Sequence, residues 1–195
     1  MQNSKYSIPK KIVLVGASTG GPGQIEKIID SLFKLEDTTI VIAQHMAMDF
    51  IPSFIKRLQI HSINPLRMAQ DTDILETGNI YFCYGITSLI QEYDKLRFSV
   101  KRSQEYRYNP DIDSVFNSFV PYANDTQLFC IILTGIGEDG VNGCERLSAK
   151  GAKCATENRE SAIVDGMPSR ARKRIKDIEI YDIKDIIEKI KEFCS

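Results

Sequence analysis

The chain has 195 residues, of which 43% are hydrophobic and 26% charged, a composition typical of one globular domain with a substantial core. Its formal net charge of -1 gives no electrostatic argument for binding nucleic acid or an anionic membrane surface. The five cysteines are widely spread and form no C-x-x-C pair, which argues against a disulfide framework or a zinc site and favours a reducing cytoplasm. No signal-peptide core and no run of about 20 apolar residues is present, so a membrane span is not expected.

The first half of the chain alternates between predicted strands and helices. Residues 12–17 are a continuous apolar run, as expected for a parallel strand that is buried on both faces. After a glycine-rich turn, apolar residues recur with helical spacing over 25–33, and Pro22 is well placed in the first turn of that helix. Residues 39–43 predict a second buried strand, and apolar residues over 50–58 mark another helical face.

The second half begins with a different pattern and then returns to alternation. Short β-rich pieces over 79–100 predict an antiparallel hairpin or meander appended to the main sheet. Residues 128–133 are the most apolar predicted strand. The remaining predictions are helices near 112–120, 141–149 and 161–174 and from 184 onwards, with strands near 152–156 and 178–183. The whole pattern predicts an α/β fold with a doubly wound, mostly parallel sheet flanked by helices.

Polar side chains follow three of the predicted strands. Ser18 follows the first strand in a G-x-S-x-G turn, His45 follows the second, and Asp139 follows the strand over 128–133 through a glycine-rich loop. Because the carboxyl ends of parallel strands meet at one edge of a sheet, we expect these side chains to lie close together. A serine, a histidine and an acid in that arrangement can act as nucleophile, general base and orienting group.

Each of these residues also has a simpler interpretation. Ser18 could be a helix N-cap, His45 a polar residue at a strand end, and Asp139 part of a turn or an N-cap. The Gly16–Gly23 loop could instead cradle a phosphate at a helix N-terminus, although it lacks the Gly-Lys-Ser/Thr ending of a Walker A loop. His61 lies in a polar segment away from any strand end and is predicted to be in a surface loop.

Three blocks of sequence resemble the signature of the chemotaxis protein-glutamate methylesterase (CheB) catalytic domain. They are Gly16–Pro22, Gln44–Met46 and Leu133–Gly140, and they occur in the order that the family shows. The resemblance extends over roughly residues 10–193. It implies hydrolysis of glutamate γ-methyl esters on chemoreceptor signalling helices and, as in many members, deamidation of receptor glutamines.

The resemblance also implies roles for individual residues. By position, Ser18 matches the nucleophile, His45 the general base and Asp139 the orienting acid. Thr19 follows the nucleophile, and its backbone N–H is a candidate oxyanion donor. Ile136 stands where the family usually has methionine, and its backbone is expected to frame the site. No cofactor and no metal is implied.

The chain departs from the family pattern in several places. A family Pro-Gly-Gly-x-His stretch has no counterpart in Tyr81–Ser88, an Arg-Pro-Ser-x-Asp block reads Asn109–Asp113, and two prolines are missing at positions 47–48. These departures concern substrate recognition more than the triad. They leave open a catalytically weakened adaptor that binds receptors, while the glycine-rich loop leaves open a phosphometabolite-binding α/β domain.

Regulation is expected to differ from the usual family scheme. About ten residues precede the first predicted strand, too few for the receiver domain that members usually carry before the catalytic domain. We therefore expect one methylesterase catalytic domain over residues 1–195, in the cytoplasm, that is constitutively active or controlled by a separate response regulator. The expected substrate partners are methylated chemoreceptor helices, with no nucleic acid and no membrane insertion.

Overall fold

A seven-stranded parallel sheet forms the centre of the computed structural model, which describes residues 8–101 and 109–195. Its strands are β1 (Lys11–Ala17), β2 (Thr38–Gln44), β3 (Leu66–Met68), β4 (Ile80–Phe82), β7 (Gln127–Ile132), β8 (Lys153–Glu157) and β9 (Glu179–Tyr181). A separate antiparallel hairpin contains β5 (Ile86–Glu92) and β6 (Lys95–Lys101). The helices are α1 (Gly21–Ser31), α2 (Ile51–Gln59), α3 (Ile112–Phe119), α4 (Val141–Ser148), α5 (Met167–Arg174) and α6 (Ile183–Cys194).

Two hydrophobic clusters cover the two faces of the sheet. Alternate residues of β1 divide between them, with Val13 and Val15 in one cluster and Ile12 and Leu14 in the other. Helices α1, α2 and α6 pack on the first face, whereas α3, α4, α5 and the β5–β6 hairpin pack on the second. The central strands are therefore buried on both sides, which explains why they read as continuous apolar runs.

The strand order β3-β4-β2-β1-β7-β8-β9 places β1 at the centre. Strand β2 pairs with one edge of β1 and β7 pairs with the other, so the direction in which successive strands are added to the sheet reverses beside β1. In the register of these pairs, Ala17 is opposite Gln44 and Gly16 is opposite Ile132. A crevice outside the carboxyl ends of the strands is expected at such a reversal, and the loops after β1, β2 and β7 meet there.

The predicted fold class is confirmed, and the local differences have identifiable causes. Residues 79–85 were expected to belong to the antiparallel unit, but Ile80–Phe82 pairs in parallel with β2 inside the main sheet, and only the segment after it forms the hairpin. Strand β3 is not predicted, because it is three residues long with only Leu66 buried.

Three further boundaries differ from the predicted helices. The helix predicted over 161–174 begins only at Met167, because the preceding loop bonds to the β7 loop instead: Gly135 N donates to Val164 O at 2.9 Å. Phe33, predicted on the buried face of α1, lies beyond its end and is 39% exposed. Phe50 precedes α2 and is 66% exposed. Within the described residues, no helix combines the length and the apolarity needed to cross a bilayer.

Candidate active site

Ser18 lies in the sharp turn between β1 and α1. Its backbone N–H donates to the Thr134 carbonyl at 3.0 Å, which ties the turn to the loop after β7. Gly20 forms the N-cap of α1 with a φ of 85°, a conformation that glycine adopts without steric cost. A Cβ added at Gly135 would lie 2.7 Å from the Ser18 Cβ, so the two loops are in direct contact. The position of the serine is thus defined from both sides.

His45 follows β2 and links the other two predicted site residues. Its Nδ1 lies 3.1 Å from Ser18 Oγ, and its Nε2 lies 2.7 Å from Asp139 Oδ2. The backbone N–H of His45 donates to the Ala17 carbonyl at 2.9 Å, which fixes the residue beside the end of β1. A neutral ring with its proton on Nε2 donates to the carboxylate, and in that tautomer Nδ1 can accept a hydrogen bond from Ser18 Oγ.

Asp139 is 8% exposed and accepts three hydrogen bonds. Oδ2 accepts from His45 Nε2 and from the backbone N–H of Ile112 at 2.9 Å, while Oδ1 accepts from the N–H of Asp113 at 2.9 Å. Burial disfavours the charged form, but these hydrogen bonds outweigh it and hold the pKa of Asp139 below its ordinary value. The carboxylate therefore stays ionised at neutral pH and orients the imidazole.

A groove of about 450 Å³ opens over the serine and the histidine. Its lining residues are Ser18, Thr19, His45, Met46, Ala47, Asn109 and Ile136. Among the described residues, the backbone N–H groups of Thr19 and Ile136 have no hydrogen-bond acceptor, whereas that of Ser18 is already used. Both free groups border the groove, so they are available to a substrate oxygen.

Comparison with models of protein families gives a match over most of the chain. The family model described as CheB methylesterase matches residues 13–190. The chain belongs to the CheB methylesterase family. Its structure is similar to the crystal structure of the Thermotoga maritima CheB methylesterase catalytic domain, with a TM-score of 0.85 and 29% sequence identity over 95% of this chain and 99% of that one.

Curated relatives of the CheB family extend the comparison. A protein-glutamate methylesterase/protein-glutamine glutaminase of Carboxydothermus hydrogenoformans is 34% identical over 94% of this chain and 53% of its own length. The corresponding protein of Bacillus subtilis is 32% identical over 97% of this chain and 54% of its own length. The chain thus spans about half the length of these relatives.

The structure brings together all five residues that the sequence singles out, Ser18, Thr19, His45, Ile136 and Asp139. His61 is exposed after α2, as the sequence predicts for a surface loop. Among the described residues, no group of three or more histidine, cysteine, aspartate or glutamate side chains is placed to hold a metal ion.

Two supporting residues of the site are not predicted from the sequence. Gln44 is 4% exposed, and its Nε2 donates to the carbonyls of Ser18 at 2.9 Å and His45 at 2.8 Å, so one side chain braces both. Thr134 Oγ1 donates to the Thr19 carbonyl at 2.9 Å. The sequence shows these two residues beside the signature positions, but nothing in it reveals what their side chains contact.

Asn109 is a third residue that the sequence does not predict as part of the site. Its carbonyl accepts from Met46 N at 2.9 Å, and its Oδ1 accepts from Gly85 N at 2.6 Å. With Oδ1 engaged, the Nδ2 amide is the donor left to face the groove. The family pattern has arginine here, so the only signal for this position was a departure from that pattern.

Proposed function

We propose that this protein hydrolyses glutamate γ-methyl esters on chemoreceptors and that Ser18, His45 and Asp139 are its catalytic triad. The observation that carries the proposal is the unbroken series of contacts from Ser18 Oγ through the His45 ring to Asp139, at 3.1 and 2.7 Å. It occurs in a member of the CheB family, at the sheet edge where α/β proteins bind their ligands.

The mechanism follows from this order of contacts. His45 Nδ1 accepts the hydroxyl proton while Ser18 Oγ attacks the ester carbonyl. The N–H groups of Thr19 and Ile136 stabilise the oxyanion of the tetrahedral intermediate. The protonated imidazole, stabilised by Asp139, then gives its proton to the departing methanol. A water activated by His45 hydrolyses the acyl-enzyme to glutamate. A glutamine side chain would follow the same steps and release ammonia.

Partners and location belong to the same proposal. The relatives' names pair methylesterase with glutaminase activity, which supports methylated and amidated receptor helices as substrates. An open groove bordered by exposed Thr19 and Ile136 suits a side chain presented on the surface of a folded protein. We further propose that the enzyme acts in the cytoplasm.

Methanol release from radiolabelled, methylated receptor membranes tests the proposal. The comparison includes the wild-type protein, Ser18→Ala and a matched control, Ser31→Ala, which changes an exposed serine on α1. We expect release from the wild type and the control and none from Ser18→Ala. Turnover by Ser18→Ala would refute the assignment of the nucleophile. Absence of release from a folded wild type would refute the substrate.

The adaptor hypothesis keeps one specific observation in its favour. Position 109, which borders the groove, has asparagine where the family pattern has arginine, so the side chain there is shorter. Receptor binding without methanol release would support an adaptor.

The phosphate hypothesis is less favoured, because the N–H groups of Ser18 and Gly21 are already used and Ile163 packs over Gly20. A thermal-shift screen with nucleotides and sugar phosphates tests it, since a bound ligand raises the melting temperature.

A further inference from the structure

We propose that Asp113 is a positioning residue for the triad: its carboxylate joins the first turns of α3 and α4 and thereby fixes Asp139 against His45. The inference rests on the proposed function of this site, because positioning matters only if the three side chains react as a unit. Asp113 reaches the three side chains through Asp139, whose Oδ1 accepts from the Asp113 backbone N–H at 2.9 Å.

Two carboxylates cap each other's helices at this junction. Asp139 immediately precedes the N-cap of α4, yet its side chain accepts from Ile112 N and Asp113 N in the first turn of α3. In return, Asp113 Oδ1 accepts from Gly143 N in the first turn of α4 at 2.7 Å. The first N–H groups of a helix have no partner within the helix, so each carboxylate satisfies groups of the other helix.

The packing at the junction leaves little room for adjustment. A Cβ added at Gly143 would lie 2.5 Å from the Phe116 Cβ, so the backbone of α4 touches α3 directly. A Cβ added at Gly140 would lie 2.5 Å from Ile112 Cγ2. Packing and hydrogen bonds therefore set the register of the two helix starts together. If Asp113 lost its bond to Gly143 N, one of the bonds that tie α4 to α3 would be gone, and we expect a small displacement of the loop that carries Asp139.

The charges at the junction give the arrangement a measurable signature. Two carboxylates lie near Asp113, that of Asp139 just before α4 and that of Asp111 at the N-cap of α3. The Cys144 thiol on α4 is also nearby, and His45 lies on the other side of Asp139. Burial raises the pKa of Asp113 to about 6, the Gly143 N–H opposes the rise, and the two neighbouring carboxylates add to it. At neutral pH the group is therefore mostly charged.

Two substitutions separate the hydrogen bond from the charge. Asp113→Asn keeps an acceptor for Gly143 N but removes the charge, whereas Asp113→Ala removes both. We expect Asp113→Ala to react about tenfold or more slowly, since small displacements of catalytic groups are costly. We expect Asp113→Asn to stay within about threefold of the wild type, because asparagine caps helices as well as aspartate does.

Rescue by Asp113→Asn distinguishes positioning from a merely structural role, because the amide restores an acceptor for Gly143 N without restoring the charge. The melting temperature should rise at pH 8. A carboxyl whose pKa is raised in the folded state contributes stability that is lost as pH rises through that pKa, because the charged form is disfavoured by burial. The asparagine amide carries no charge and therefore does not lose stability in this way.

The rate of Ser18 labelling by an alkyl fluorophosphonate measures these effects without any receptor. In this reaction Ser18 Oγ forms a bond to phosphorus, fluoride leaves, and His45 takes the hydroxyl proton. A wild type that is labelled but releases no methanol would refute the substrate and leave the positioning role testable.

The matched control is Asp111→Ala, because Asp111 caps α3 alone by accepting from Ser114 N at 2.6 Å. We expect this control to lower the melting temperature without altering the labelling profile. The proposal would be overturned if Asp113→Ala behaved like this control, or if Asp113→Asn were labelled no faster than Asp113→Ala.

Discussion

Replacing Asp139 with asparagine should remove most of the activity while the protein remains folded. The wild-type carboxylate accepts from three N–H donors, His45 Nε2, Ile112 N and Asp113 N. An asparagine has one oxygen and one NH2 group at these positions. If its oxygen faces His45 and Ile112, its NH2 meets the Asp113 N–H, and the opposite orientation is worse because the NH2 then meets two donors.

The structure gives a magnitude for each consequence. A donor left without an acceptor in a buried site costs about 1–3 kcal/mol, so we expect the free energy of unfolding to fall by that amount at pH 7. Loss of the negative charge removes the stabilisation of the imidazolium, and the amide can hold the ring in the wrong tautomer. In a serine protease triad the corresponding change lowers kcat about 10⁴-fold, and we expect a loss of about 10³–10⁴-fold here.

The assay combines methanol release or fluorophosphonate labelling with urea unfolding at several pH values, using Asp125→Asn at an exposed position as the control. The folded pKa of Asp139 is lowered, so its stabilising contribution is present above its unfolded pKa and is lost as pH falls through its folded value. The stability gap between wild type and Asp139→Asn should therefore shrink in acid. An active variant, or a gap that grows as pH falls, would refute the reasoning.

Two further predictions concern the walls of the groove. Gly135→Ala places a methyl group 2.7 Å from the Ser18 Cβ, so we expect both the activity and the melting temperature to fall. Fluorophosphonate labelling and thermal unfolding measure the two effects. If neither value changed, the close packing of the two loops would be contradicted. Asn109→Asp keeps the acceptor for Gly85 N but loses the Nδ2 donor. It should raise KM for methylated receptor more than it alters the melting temperature, and an unchanged KM would show that Asn109 does not contact the substrate.

The parts of the site that the sequence predicts are those in the loops after buried strands. Ser18, His45 and Asp139 each come after a mostly apolar strand, and the parallel-sheet rule is enough to bring such loops to one edge. The prediction needs only the type of each strand and its approximate end. It does not need side-chain conformations or the packing of helices, and for that reason it succeeds from a single sequence.

The parts that the sequence does not predict depend on contacts between distant segments. Asn109 is held by Met46 and Gly85, and the segment before α5 is held by Gly135 bonding to Val164. The helix predicted over 161–174 begins later in the structure, because Pro168 suits the first turn of a helix and the segment before it bonds to the β7 loop. In each case a hydrogen bond made across the fold decides the conformation, and no pattern within the segment encodes that bond.

The junction of α3 and α4 shows why such contacts gather around the predicted triad. A buried carboxylate beside a histidine needs further donors, and the nearest supply is the unpaired N–H groups of a helix start. Asp139 precedes its own helix and uses those of α3, which leaves the start of α4 in need of an acceptor. Asp113 provides that acceptor at 2.7 Å from Gly143 N. If Asp139 is the acid of the proposed triad, its place at this helix start accounts for a second carboxylate close behind it.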